Sequence, residues 1–157
     1  MTDEPKDYEG FIDTDVDTED IHEPQCQPTG AYDLTVTSAK AIFAEKEDGT
    51  GRYLKKVMVM IDFDDVKNAA TLFHNITLWN KDEDQKKRDF KIVLAKKFYK
   101  LFSVPFPVRG LNTTDLIGAK ATGAFVDLTE YTKVDVETGV SKPPKPSNQL
   151  NLTGIKV

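Results

Sequence analysis

ATLFHNITLWNKDEDQKKRDFKIVLAKKFYKLF, residues 70–102, carries two different periods in succession. Over 70–79 the side chains alternate. Leu72, His74, Ile76 and Leu78 fall on one face, and Thr71, Phe73, Asn75, Thr77 and Trp79 on the other, the two-residue period of a strand. Two aromatics therefore lie on an otherwise polar face. Beyond this strand the period lengthens: Phe90, Val93, Leu94, Phe98 and Leu101 recur at three and four residues, which predicts an amphipathic helix. Asp82, Glu83 and Asp84 are placed for its first turn and Lys96, Lys97 and Lys100 for its end, complementing the helix dipole. Val104-Pro105-Phe106-Pro107 stops it, because a proline disfavours helical geometry in the residue before it.

Outward from this junction the chain reads as strands on both sides. Residues 31–44 (AYDLTVTSAKAIFA) alternate Tyr32, Leu34 and Val36 with Asp33, Thr35 and Thr37, and the length of the run predicts a bulge near 38–40. A turn over 45–51, with Asp48-Gly49 as its hairpin signal, leads to a second strand at 52–63, and 64–68 turns the chain into the strand at 70–79. After the helix, Asp115-Leu-Ile-Gly118 precedes a fourth strand at 120–131. A polar loop over 137–148 holds Lys142 and Lys145 among prolines, and 150–157 (LNLTGIKV) reads as a fifth strand. Three strands, a helix and two strands are the element order of an OB-fold: mainly β, a five-stranded Greek-key barrel with one helix between strands three and four.

Charge divides the chain in two. Residues 1–28 hold ten acidic side chains and one basic, net −9, whereas 29–157 carry +4. The first segment has few large apolar groups and three prolines, so it reads as a disordered acidic tail, and 29–157 as one OB-fold domain with enough chain for a single core. The run Asp13, Asp15, Asp17 is not a calcium loop: such a loop needs Gly at its sixth position and Glu at its twelfth, and those are Thr18 and Pro24. His22 and Cys26 have no second ligand pair, which argues against structural zinc, and a lone Cys forms no internal disulfide. No apolar run reaches the ~20 residues of a membrane span, and the N-terminus lacks the basic and apolar parts of a signal peptide, so a soluble intracellular protein is expected.

An OB-fold takes up oligonucleotides on the face of strands two and three, flanked by the loops between strands one and two and strands four and five. Those regions hold Arg52, Tyr53, Lys55 and Lys56, then Phe73 and Trp79, with Lys142 and Lys145 on the second loop. Aromatic rings stack bases and cations hold phosphates, the two requirements for binding single strands without sequence readout. Each residue also has a plainer account: the aromatics as core or loop packing, the cations as a solvated edge that discourages strand-to-strand aggregation. The helix has seven basic residues against four acidic over 82–102, on a side that this fold turns away from its groove. No phosphate-cradling glycine motif or activated nucleophile is evident, and His74, on the apolar face, reads as a core histidine. The expectation is a non-catalytic protein without cofactor or metal.

Gly30-Ala-Tyr-Asp-Leu-Thr-Val-Thr, Gly51-Arg-Tyr-Leu-Lys-Lys-Val, Phe98-Tyr-Lys-Leu-Phe102 and Leu116-Ile-Gly118-Ala-Lys together resemble the small single-stranded-DNA-binding proteins of bacteriophages, over residues 29–157. The resemblance implies coating of exposed strands in phage DNA replication or recombination, in the cytoplasm of the infected cell. It also implies an acidic tail that recruits replication or recombination proteins. In that family the tail is usually C-terminal; here the acid lies at the other end. The alternative is a protein-interaction module of the same fold, whose acidic tail occupies a basic site on a partner.

Overall fold

The computed structural model describes residues 10–17, 19, 21–131, 137–140 and 145–157. The alternating segments form strands β1 (Gly30–Glu45), β2 (Arg52–Phe63), β3 (Leu72–Thr77), β4 (Lys120–Tyr131) and β5 (Lys145–Leu150), with helix α1 (Gln85–Leu101) between β3 and β4. All strand pairings are antiparallel, in one sheet of order β3-β2-β1-β4-β5. Its two edges, β3 and β5, also come close to each other.

β1 is long enough to serve both halves of the sheet because it bends. Its register with β2 shifts between Val36 and Ser38 and again between Ile42 and Phe43, on either side of the expected bulge. Against β4 the shift lies between Tyr32 and Leu34, where two residues of β4, Thr122 and Gly123, oppose Asp33 alone. The Asp33 carboxylate accepts the Gly123 N–H at 2.9 Å, and Gly123 takes φ +63°, a conformation that glycine adopts without a Cβ penalty. The β1–β2 turn closes as its composition predicts: Gly49 has φ +72°, and Asp48 accepts from both the N–H and the hydroxyl of Thr50. Those bonds hold the Asp48 carboxyl below its ordinary value.

The inner face of the sheet supplies Leu34, Val36, Val57, Val59, Ile61, Leu72, Ile76, Ala124 and Val126, all buried. The helix covers this core with Ala95, Phe98 and Tyr99, followed by Phe102, a spacing of three, four and seven. The expected stripe is therefore corrected in its first half. Phe90 is 65% exposed, and Val93 and Leu94 are exposed as well, because only the second half of α1 lies over the sheet. The helix also starts later than its acidic residues suggest. Asp82, Glu83 and Asp84 all precede it, and Glu83 instead accepts the Asn80 N–H at 2.8 Å and pairs with Lys91 at 2.7 Å.

The fifth strand is a second correction: it is Lys145–Leu150, not 150–157. Beyond it the Asn151 N–H still reaches Phe125 O, then the chain turns, with the Ile155 N–H on Leu152 O. Leu152 and Ile155 are three apart, the spacing of a turn and not of a strand, and both pack on the core. Likewise β3 is shorter than 70–79, ending at Thr77.

Residues 23–28 are tied to the sheet. Gln25 bridges Ala69 in parallel, its N–H on Asn68 O at 3.0 Å and its carbonyl accepting from Ala70 N at 2.9 Å, while the Asn68 side chain donates to Glu23 O. Two residues on, Gln27 is held through both backbone groups by the side chain of Asn148 on β5, at 2.7 and 2.8 Å. This strap joins the entry of β3 to β5, linking the two edges of the sheet. The hydrogen-bonded body thus starts at Glu23, ahead of the boundary that charge places at residue 28. Among the described residues no helix is long and apolar enough to cross a membrane.

Candidate nucleic-acid interface

Because Val57, Val59 and Ile61 point inward, Lys56, Met58 and Met60 lie on the outer face of β2, and the register extends this face across three strands. Ser38, Met60 and Phe73 form one row, Lys40, Met58 and Asn75 the next, and Ile42, Lys56 and Thr77 the third. Phe73 is 53% exposed. Past the end of β3 the β1–β2 arm continues with Phe43 opposite Leu54, both exposed. The result is a face of apolar side chains carrying two lysines, with Asp62 at its far end taking the Thr71 hydroxyl.

Trp79 does not join this face. The strand has ended, and the indole turns to Phe106, with ring centroids 6.1 Å apart. Phe106 in turn meets Tyr99 edge-on at 5.1 Å, and Tyr99 meets Phe98, so Trp79 is the outermost ring of an aromatic chain rooted in the core. It walls a cleft of about 580 Å³ together with Tyr53, Lys55, Lys81, Glu83 and Lys91. The one acid in that cleft, Glu83, has its carboxyl lowered chiefly by its hydrogen bond from Lys91.

The residues expected at the site therefore separate into two groups. Lys56 and Phe73 share the outer face, whereas Arg52, exposed, pairs with Glu45 at the end of the β1–β2 arm, beyond the register shift that follows Lys56. Tyr53, Lys55 and Trp79 share the cleft. Lys145, exposed, opens β5 in register with Tyr131 and lines neither. Lys142 lies outside the described residues. Sequence reasoning missed Lys40, Met58, Met60, Phe43 and Leu54; only the cross-strand register, with its bulges, reveals that Met60 lies opposite Phe73, that Met58 and Lys40 form the next row, and that Phe43 and Leu54 pair beyond the end of β3.

His74 stacks flat on Phe98, with centroids 4.8 Å apart and planes 3° from parallel, and burial pushes its pKa down to about 4. It is thus neutral at physiological pH, unsuited to proton transfer there. Because the folded value lies below the ordinary 6.5, the unfolded chain takes up a proton first as pH falls. Stability contributed by neutral His74 is full above pH 6.5 and declines toward pH 4, by about 2 kcal/mol between about pH 7.5 and 5. Urea denaturation of the parent and of His74→Phe across that range checks this: the variant's curve should be flatter by that amount, and equal slopes would refute it. Among the described residues no three metal-capable side chains cluster.

No protein-family model and no curated protein sequence matches this chain.

Proposed function

We propose that the protein binds single-stranded DNA without sequence readout, on a barrel of the OB type. The order β3-β2-β1-β4-β5, the approach of β3 to β5, and the helix between β3 and β4 support that closure. The observation that carries the function is the outer face of β1 to β3. Phe73, Met58 and Met60 adjoin one another there beside Lys40 and Lys56, exposed or half-buried. Flat and flexible apolar groups accept any base, and lysines on the same face hold the phosphates.

Anisotropy of a labelled oligo-dT, titrated with the full chain, tests this. The affinity should fall with salt by about 0.7 log units per log unit of salt for each phosphate neutralised. No complex at low salt would overturn the reading. The resemblance to phage proteins extends the proposal to replication or recombination in an infected cell, with no catalytic step.

One observation favours a second reading, a protein-interaction module: the acidic stretch keeps Phe11, Ile12, Val16 and Ile21 exposed, as a segment that docks on a basic partner would. Deleting residues 1–22, which leaves the strap intact, separates the two. Tighter oligo-dT binding marks the stretch as a competitor for the same face, loss of partner capture supports the second reading, and a deletion that changes neither leaves the stretch a solubilising leader.

A further inference from the structure

Resting on the single-strand reading above, we infer that the bound strand continues beyond the outer face over a second strip, in which Trp79 and Phe106 stack bases while Lys96 and Arg109 hold phosphates. Trp79 is the shared wall of two clefts. The first, with Tyr53 and Lys55, meets the outer face at Thr77, which pairs with Lys56 in the sheet register. Trp79 also lines a second cleft, again of about 580 Å³, together with Lys96, Phe106, Val108 and Arg109. Both clefts thus abut Trp79, and the first reaches the sheet face at Thr77, which places all three within reach of one extended strand.

Its chemistry matches a nucleic-acid strand more closely than an acidic peptide. Lys55, Lys81, Lys96 and Arg109 have no ion pair among the described residues, and the single acid lining either cleft, Glu83, is paired with Lys91 at 2.7 Å. An acidic peptide would need only the cations. Here they alternate with rings: Lys96 Nζ sits 5.8 Å from the Phe106 centroid, and Phe106 lies against Trp79. The ring contacts that run from Phe106 through Tyr99 to Phe98 fix this pair to the core, so stacking on it costs little ordering. Val108, between Pro107 and Arg109, is fully exposed, an apolar contact beside the cation. Arg109 escaped sequence reasoning because it lies in a proline-rich loop outside every predicted element.

The test compares two charge reversals of equal size in the full chain. Lys96→Glu with Arg109→Glu alters the strip; Lys86→Glu with Lys87→Glu alters the exposed first turn of α1, which lines neither cleft. All four side chains are exposed, so the fold should be kept in each variant, as circular dichroism will verify. For an oligo-dT of about 24 nucleotides, the strip variant should bind about tenfold more weakly and lose about 1.4 from its salt slope, two phosphate contacts' worth, against less than about twofold for the helix variant. Equal weakening by both pairs, or none by the strip pair while Phe73→Ala weakens binding, would overturn the strip and leave the outer face standing. If the parent chain itself binds no oligo-dT, the single-strand reading falls first and the strip with it.

Discussion

Replacing Asn148 with leucine should lower the stability of the domain by about 3 kcal/mol. Asn148 is the one buried amide side chain among the described residues, and its polar atoms are fully committed. Its Oδ1 accepts the Gln27 N–H, while its Nδ2 donates to Gln27 O and to Asp127 O. Leucine has nearly the same volume, so it keeps water out while orphaning the groups that face it, at roughly 1 to 3 kcal/mol for each one buried. The change also unties the strap from β5, and with it the link between the two edges of the sheet. Removing residues 1–28 deletes the same contacts, so the two changes should be strongly non-additive in a double-mutant cycle, whereas removing 1–22 should be almost neutral. A leucine variant within about 0.5 kcal/mol of the parent in urea denaturation would show that the strap contributes nothing.

The element order is legible in the sequence because it rests on periods that burial enforces. Val57, Val59 and Ile61 have to point one way, and the lengthened period after Trp79 has to be a helix. What stays hidden is decided by tertiary contact. β5, with the sequence KPSNQL, has almost no strand character of its own; its pairing with 126–131 and the Asn148 hydrogen bonds hold it, whereas the apolar LNLTGIKV has the better strand pattern yet leaves the sheet after Leu150 and turns at 153–154. Phe90 and Leu94 extend the helical stripe, yet among the described residues no element covers them, and they line an open groove beside His74. Phe73 and Trp79 share a face only if alternation is carried two residues past the end of β3.

Charge shows the same division between composition and placement. The helix accounts for most of the body's positive excess, and the expected OB-fold turns it away from the groove. In the fold its cations scatter. Lys91 neutralises Glu83, Lys100 donates to Lys156 O, Arg88 reaches Lys81 O, and Lys96 faces Phe106. Lys86 and Lys87 match the picture of a solvated outer side, exposed and lining neither cleft. Net charge therefore overstates what is available to a phosphate backbone, and the local count around Trp79 is the better guide.

For the outer face the decisive variant is Phe73→Ala. Over half of the ring is exposed, so truncation removes little buried area and the domain should keep most of its stability. If Phe73 stacks a base, the loss in affinity for oligo-dT should be about 1 to 3 kcal/mol, roughly tenfold to a hundredfold. No cation is removed, so the salt slope should stay as it is, which distinguishes lost stacking from lost phosphate contact. Lys40→Ala, two residues along from Ser38 in the neighbouring row, should do the reverse: a smaller drop in affinity at low salt and a slope reduced by about 0.7. The contrast matters more than either number. The ring and the cation that these variants remove sit on different strands, Phe73 on β3 and Lys40 on β1, and β2 holds them in register through Met60 and Met58. A Phe73→Ala protein that binds oligo-dT as tightly as the parent would place the strand elsewhere, and the clefts around Trp79 would then be the whole of the site.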